Sequence, residues 1–308
     1  MLDPTEEDRQ RLRIMKRFIG LLWIIVIFPL SLSAQSEQWL SPIGYSVKIS
    51  YRALQPGEIL VFTTNSTSVK EAQVWFMDRK IAMGKDKTSP KFRAFLGLDL
   101  GIKPGVYPVK ILFQDSSGRW DTLEKEITVL SKDFPVKKLW VDEKYVTPPP
   151  SVRERIQQES EILRTIYDRF TSGWLGKGQF ILPLEGKSSD NFGERRIYNN
   201  KPRTSHGGVD ISAPAGTPVK ASNSGEVVLA HDLYFSGKTV IIDHGLGLFT
   251  LYLHLSRVRV KTGDKVGKGD IVGEVGATGR VTGPHLHWGV KVFGNSVDPF
   301  SLLSLSLD

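Results

Sequence analysis

The sequence predicts a mainly β protein in two parts, an amino-terminal antiparallel sandwich and a carboxy-terminal antiparallel sheet or open barrel, joined by one connecting helix. Short alternating apolar runs, punctuated by Pro-Gly and Ser-Gly, fill residues 45–130. Apolar residues at helical spacing follow Pro148-Pro149-Pro150. Beyond Gly178 glycine becomes dense, the apolar runs are short and helical periodicity is missing. A chain of 308 residues, 40% of them hydrophobic, is long enough to pack two domains.

Taken in order, Lys16 and Arg17 precede thirteen uncharged residues, Phe18 to Leu30, and Ser31-Leu32-Ser33-Ala34-Gln35 supplies the small residues that a signal peptidase prefers. Residues 1–34 therefore read as an export signal, which would place the rest of the chain in the periplasm or cell envelope. Left uncleaved, residues 18–30 would attach the chain to the inner membrane, although they fall short of the roughly 20 residues of a comfortable span. Met15 is an alternative start, because the acidic segment Asp3 to Asp8 is unusual at the head of a signal.

Residues 41–131 hold about seven short strands, among them Ser46–Tyr51, Glu58–Phe62 and Val109–Phe113. That spacing predicts an immunoglobulin-like β-sandwich. It carries no histidine, so its role is spacing, substrate positioning or partner contact, and no protein partner is identifiable from it. Residues 148–177 form a linker with a helix, opened by a capping box at Ser151-Val152-Arg153-Glu154 and ending near Ser172-Gly173. Its stripe of Val152, Ile156, Leu163, Ile166, Tyr167 and Phe170 predicts one face packed on a neighbouring domain. From 178 to 300, Gly225–Ala230, Lys238–Asp243, Leu248–Leu253 and Asp270–Val275 read as strands with glycine corners. Residues 301–308 are left as a tail.

Composition narrows the chemistry. Lys and Arg outnumber Asp and Glu 41 to 33, a net charge of +8 that suits an anionic partner such as a cell wall. No run of basic residues interleaved with aromatics appears, which argues against nucleic acid. Cysteine is absent, so thiol nucleophiles, cysteine-ligated zinc and disulfides are excluded, and a bound metal must use imidazole and carboxylate. There is no Gly-x-Ser-x-Gly elbow and no phosphate-binding Gly-x-x-x-x-Gly-Lys-Ser/Thr. The glycines from Gly273 to Gly279 lack the strand-to-helix setting of a dinucleotide site. Val266–Ile271 is similar to the hairpin of lipoyl and biotinyl carriers, without the modifiable lysine in its Met-Lys-Met setting.

All six histidines lie from His206 onward. In Gly283–Val290, His285 and His287 flank Leu286, and a strand there turns both imidazoles the same way with Leu286 opposite. Such a pair can hold one metal ligand and one neighbouring proton handler. In His206-Gly207-Gly208-Val209-Asp210, the two glycines and nearby Pro214 argue for a loop running into a strand rather than a helix. His206, Asp210 and one of His285 and His287 would make the three-ligand set with an open position that catalytic zinc uses. His254 joins the cluster from Leu251–Leu255, where alternation sends the leucines into a core and Tyr252 with His254 to the other face. His231 and His244 sit at a turn and a corner and read as structural or solvated.

These motifs resemble the lysostaphin-type, or LytM-domain, zinc endopeptidases that cut peptidoglycan cross-bridges and stem peptides. The resemblance runs from about Phe180 to Phe300, through His206–Asp210, Tyr252–Leu255 and Thr282–Trp288, with Gly263-Asp264-Lys265-Val266 in the expected interval. It implies a LytM-like peptidase domain over residues 178–300 and peptidoglycan as the partner. It also implies one zinc ion per chain, held by His206, Asp210 and His287, with His254 and His285 as catalytic histidines whose roles stay undivided. The competing reading is a non-catalytic LytM-like module that binds wall or activates a separate amidase. Such modules, the resemblance implies, have usually lost ligands or histidines, whereas all five are present here. The sandwich or the Lys187–Arg203 loop, if placed over the cleft, would hold the full-length chain inactive.

Overall fold

The structure, a computed structural model, describes residues 34–85 and 90–307; the predicted signal, apart from Ala34, lies outside the described residues. The alternating runs of the amino-terminal half fold as β1 (Gln35–Leu40), β2 (Ser46–Tyr51), β3 (Ile59–Asn65), β4 (Val69–Phe76), β5 (Arg79–Ala82), β6 (Gly84–Lys85), β7 (Lys91–Gly97), β8 (Gly105–Asp115) and β9 (Trp120–Val129). Two antiparallel sheets result, one in the order β1-β2-β3-β7-β6 and the other β5-β4-β8-β9. Alternation sends Ile49, Phe62 and Ala94 from the first and Val74, Ile111 and Phe113 from the second into a shared core.

Strand β3 departs from simple alternation. Ile59-Leu60-Val61-Phe62 is apolar at every position, and each of these side chains is buried. A strand apolar on both faces needs cover on both. Leu60 and Phe62 enter the sandwich core. Ile59 and Val61, with Phe95 of β7, form a second core with Trp174, Leu248, Val290, Val292 and Leu302 from the carboxy-terminal half. At about 1.5–3 kcal/mol for each such side chain taken out of water, this junction is an apolar seam. Arg52 reinforces it by donating to Glu58 of the sandwich and to Asp298 across the seam, with Nη2 at 2.5 Å from each carboxylate. Residues 301–307, within the stretch the sequence leaves as a tail, pack into the seam. Leu302, Leu305 and Leu307 are buried there, Ile59 N–H donates to Ser301 Oγ, and Arg93 Nη2 donates to the Leu307 carbonyl.

Between the halves come β10 (Val136–Leu139) and α1 (Arg153–Asp168). The capping box does not form. Pro150–Val152 make a 3₁₀ turn that leads straight into the helix, and Glu154 accepts from the Gln158 side chain rather than reaching back. Leu163, Ile166 and Tyr167 of the predicted stripe pack against Val228, Leu229, Ile241, Phe249 and Leu251. No helix among the described residues is long and apolar enough to cross a membrane.

The carboxy-terminal half contributes β11 (Lys187–Ser189), β12 (Arg195–Tyr198), β13 (Lys201–Ser205), β14 (Gly208–Ser212), β15 (Pro218–Lys220), β16 (Gly225–Leu233), β17 (Gly237–Asp243), β18 (Leu248–Leu255), β19 (Arg257–Val258), β20 (Lys265–Val266), β21 (Ile271–Glu274), β22 (Leu286–Val292), β23 (Asn295–Val297) and α2 (Pro299–Leu303). A large antiparallel sheet runs β11-β14-β22-β18-β17-β16-β20, with β23 beside β22. The small sheet β15-β21-β19 packs on one face of it, sharing a core of Val209, Val240, Tyr252, Val272, Leu286 and Trp288. Helix α1 covers part of the other face. A third sheet, β10-β12-β13, ties the connector to the segment before β14 through a parallel pairing of β10 with β12. It walls a cleft of about 250 Å³ beside the histidine motifs. Among the described residues no sandwich residue lines this cleft, and the Lys187–Arg203 segment borders it through Ser189, Asn191, Arg196 and Tyr198.

Candidate metal centre and active site

Strands β14 and β22 are antiparallel neighbours in which Asp210 lies directly opposite His287. Val209, Ile211, Leu286 and Trp288 face the core between the sheets, so Asp210, His285 and His287 are left on the opposite face. The loop before β14 brings in His206, four residues ahead of Asp210. Gly208 is the spacer that lets it, since a Cβ there would stand 2.7 Å from His287 Nε2 and 2.5 Å from the Trp288 carbonyl.

Three candidate ligand atoms converge. His206 Nε2 lies 2.8 Å from His287 Nδ1 and 3.1 Å from Asp210 Oδ1, and His287 Nδ1 lies 3.2 Å from the same oxygen. The outer atoms of two of these residues are held by the protein. His206 Nδ1–H donates to the Asn191 carbonyl at 2.9 Å, which fixes the ring and turns Nε2 inward. Asp210 Oδ2 accepts from Arg196 Nη2 at 2.6 Å and from Asn191 Nδ2 at 3.0 Å, which leaves Oδ1 on the histidine side. Burial alone would push the Asp210 carboxyl up, but hydrogen bonding and charge from His206 and His287 outweigh it and hold the group far below the usual carboxylate range. Burial pushes His287 down to about 4.

His254 reaches the group through a backbone irregularity. Phe249, Leu251 and Leu253 face α1 while Tyr252 enters the core between the sheets, so Tyr252 is a core residue and not a surface partner of His254 as the sequence pattern suggested. Regular alternation would carry His254 into that core too. Its φ of 65° breaks the alternation, Leu255 takes the core position, and the His254 ring comes within 5.1 Å of the His285 ring and 6.0 Å of the His287 ring. Left-handed backbone at a non-glycine residue costs on the order of 1–3 kcal/mol, a strain that recurs at functional sites. His254 Nδ1–H donates to the Thr278 carbonyl and His285 Nδ1–H to the Gly283 carbonyl, both at 2.8 Å. Each ring is thereby left with Nε2 as its acceptor, and His285 Nε2 stands 3.5 Å from Asp210 Oδ1. Burial, followed by the nearby His287 and His285, pushes His254 down to about 3, so it is neutral near pH 7.

His231 is exposed. His244 is fully buried between the Ser224 carbonyl and Thr250 Oγ1, and neither joins the cluster. The sequence reading missed Asn191, Arg196 and Thr278, which orient the cluster from outside it. Asn191 and Arg196 fell within the Lys187–Arg203 segment considered only as a cover, and no local spacing marks Thr278.

Five side chains, three of them with ligand atoms within 4.8 Å of one another, thus share one face of an antiparallel sheet at an open cleft. Residues 204–299 match the family model of peptidase family M23. A crystal structure of a Pseudomonas aeruginosa protein assigned as a peptidase M23 is 30% identical, covers 82% of this chain and 95% of that one, and superposes with a TM-score of 0.62. The chain belongs to peptidase family M23, a family of zinc metallopeptidases. Among curated relatives, the peptidoglycan DD-endopeptidase ShyA of Vibrio cholerae is 45% identical over 119 residues, 38% of this chain and 28% of that protein. The DD-carboxypeptidase/endopeptidase Mpg of Neisseria meningitidis is 43% identical over 97 residues, 32% of this chain and 22% of that one. The chain thus spans less than a third of the length of these relatives.

Proposed function

We propose that this protein is an exported zinc metalloendopeptidase that hydrolyses peptide bonds in peptidoglycan stems or cross-links, acting in the periplasm or cell envelope. The observation that carries the reading is the convergence of His206 Nε2, Asp210 Oδ1 and His287 Nδ1, with His254 and His285 beside them. The donor set fits zinc. Tetrahedral ligation with bonds of about 2.0–2.1 Å places ligand atoms about 3.3 Å apart, and the three separations of 2.8, 3.1 and 3.2 Å need to open by only a few tenths of an ångström. His206, Asp210 and His287 would hold the ion, one per chain.

Zinc bound there supplies the Lewis acidity that makes water nucleophilic near neutral pH and polarises a peptide carbonyl. The protein's own contribution is to place two acceptor nitrogens beside the three residues that would hold the ion. His254 Nε2 and His285 Nε2 each have the opposite ring nitrogen tied to a backbone carbonyl, so each can take a proton from the attacking water or pass one to the departing amine. The strained turn at His254 supports this assignment, since it holds out of the core a ring that regular alternation would bury there.

The strand order of the amino-terminal part supports reading residues 41–131 as an immunoglobulin-like sandwich, with β2-β3-β7-β6 in the ABED pattern facing β5-β4-β8-β9 in the order C′CFG. On this reading β1 is an additional edge strand, residues 148–177 are the linker and residues 178–300 the peptidase domain. The names of the DD-endopeptidase relatives and the basic charge support peptidoglycan as substrate. Export rests on the sequence of residues 1–34.

The test is digestion of isolated peptidoglycan by the purified chain, with zinc content measured alongside. His254→Ala should lower the rate of hydrolysis by about 10²–10⁴-fold while zinc stays bound. Undiminished hydrolysis defeats the catalytic assignment.

A further inference from the structure

We propose that the sandwich helps to form the metal centre. Gly57 of the sandwich and Phe134 of the connector clamp Phe192, a positioning residue that sets Asn191 and, through it, His206 and Asp210. The proposal rests on the reading of His206, Asp210 and His287 as zinc ligands. It gives the sandwich a role beyond the spacing, substrate positioning or partner contact that its sequence suggests.

Residues 191–194 grip two of the three candidate ligands. The Asn191 carbonyl accepts from His206 Nδ1–H, Asn191 Nδ2 donates to Asp210 Oδ2, and Asn191 Oδ1 accepts from the Asp210 N–H at 3.1 Å. The backbone of His206 is bracketed as well. Its carbonyl accepts from the Gly193 N–H at 2.8 Å, and its N–H donates to the Glu194 carbonyl at 2.9 Å. Any shift of this segment therefore turns the His206 ring and the Asp210 carboxylate relative to His287, which is carried separately on β22.

Phe192, 5% exposed, is the buried apolar side chain of this segment, and groups from all three parts of the chain surround it. It belongs to the core between the sheets of the carboxy-terminal half. Its ring meets that of Phe134 edge-on, with centroids 6.4 Å apart, and Lys132, 3.7 Å from Glu58, extends its ammonium over both rings. On the sandwich side the ring lies so close to Gly57 that a Cβ there would stand 2.3 Å from Phe192 Cε1 and 3.0 Å from Cζ. Neither neighbour is free to retreat. Gly57 donates its N–H to the Leu98 carbonyl at 2.8 Å and accepts from the Asp298 N–H at 2.7 Å, so it is pinned to both halves. Phe134 is seated on Gly193, where a Cβ would stand 2.1 Å from its Cδ1, and the adjoining Pro135 carbonyl accepts from the Arg195 N–H. An interior packed this closely passes a displacement on rather than absorbing it. A methyl group added at Gly57 must push the Phe192 ring, and the ring must push Asn191.

The experiment compares Gly57→Ala with Val61→Ala in the full chain, each shown to be folded by circular dichroism before metal is added. Val61 belongs to the other core of the same seam, which does not include Phe192. Zinc affinity is read by competition with a chelator, and ligand geometry by the visible absorption of the cobalt-substituted chain. Gly57→Ala should lower zinc affinity by about 10-fold, the lower end of what losing an outer support of a ligand costs, and should change the cobalt spectrum. Val61→Ala should lower the urea midpoint and leave both metal readings unchanged. Phe192→Leu makes room for the added methyl. The double variant Gly57→Ala/Phe192→Leu should therefore recover most of the affinity, although the backbone strain at position 57, where φ is 85°, remains. Wild-type zinc affinity in Gly57→Ala overturns the proposal, as does an equal loss in Val61→Ala or a double variant no better than Gly57→Ala. Should Gly57→Ala fail to fold, Phe134→Leu loosens the clamp from the connector side and decides: reduced zinc affinity supports the proposal, and wild-type affinity ends it. If the wild-type chain binds neither metal, the zinc reading fails by itself. The imidazole NMR signals of His206 in the metal-free chain then test the clamp separately. Gly57→Ala or Phe134→Leu should move them and Val61→Ala should not, and signals that stay in place in all three would sink it.

Discussion

The carboxylates at the seam and the carboxylate at the cleft are finished differently. At the seam between the halves, Glu58 and Asp298 are 1% and 3% exposed, and their oxygens are met by donors of the chain. Arg52 Nη2 and Nε serve the two oxygens of Glu58, Arg52 Nη2 also serves Asp298 Oδ2, and the Phe300 N–H serves Asp298 Oδ1. At the cleft, Arg196 and Asn191 serve one oxygen of Asp210, while the other faces the ring nitrogens of His206, His287 and His285 at 3.1–3.5 Å. A carboxylate whose partners are all supplied locally locks two surfaces together. One held by a single oxygen, with the other aimed at further ligand atoms beside an open cavity, is arranged to take up something more.

The comparison is tested most severely at its two arginines. Arg52→Ala strands two buried carboxylates at an apolar seam and should lower stability by about 3–5 kcal/mol, read as a shift in the urea midpoint of the zinc-free chain. A shift under about 1 kcal/mol would mean that apolar packing alone fastens the halves. Arg196→Ala leaves the fold nearly as stable but frees Asp210 to turn, and zinc affinity should fall by about 10- to 100-fold, measured by competition with a chelator. If Arg196→Ala instead unfolds the chain and leaves zinc affinity intact, the two sites are alike and the distinction fails. The seam also affects how truncation is read. Removing everything before Gly178 would strip Trp174 and α1 as well as the sandwich, exposing Leu246, Leu248 and Phe249, so loss of activity on such a cut reports on folding before it reports on the cleft.

How much of this was legible in the sequence depended on the range over which each feature is encoded. The strands of both halves and helix α1 are local, and punctuation and periodicity located them. The side-by-side placement of His285 and His287 followed from strand alternation alone. Tyr252 was misread because alternation tells which residues share a face and not whether the other face is wet. Here α1 covers one side of β18 and the small sheet covers the other, so both parities are apolar. The left-handed turn at His254 has no signature in Leu253-His254-Leu255, since φ is set by how the ring and Leu255 must be placed together. Asn191, Arg196 and Thr278 lie 19, 14 and 24 residues from the side chains they orient, which puts them beyond any spacing rule. The seam was partly visible all along. Ile59-Leu60-Val61-Phe62 is too apolar for a strand with one wet face, and the leucines of 302–307 are too regular for a tail.

The smallest effect concerns the histidines themselves, because the cluster and His244 differ in what their burial is for. His244 is closed in by the Ser224 carbonyl and Thr250 Oγ1, and burial pushes it down to about 4. A histidine that is neutral when folded and titrates near 6.5 when unfolded favours folding fully above pH 6.5. As pH falls from there toward 4 the unfolded chain takes up a proton that the folded chain refuses, so stability is lost across that window and the loss levels off below it. His244 should therefore account for about 2 kcal/mol of lost stability between pH 7 and pH 5. His254 and His287 are depressed in the same direction and add to the slope of the wild type, which makes the difference between proteins the informative quantity. His244→Asn should flatten the pH dependence of the urea midpoint by that amount in the zinc-free chain, whatever it costs at neutral pH. With zinc bound, the cluster's share should grow, because a ligating imidazole cannot take up a proton in the folded state and metal binding competes with protons, while the share belonging to His244 stays. Equal slopes in His244→Asn and wild type would show that this buried imidazole is reached by water and protonated in place, and the contrast between a sealed histidine and an open cluster would have to be given up.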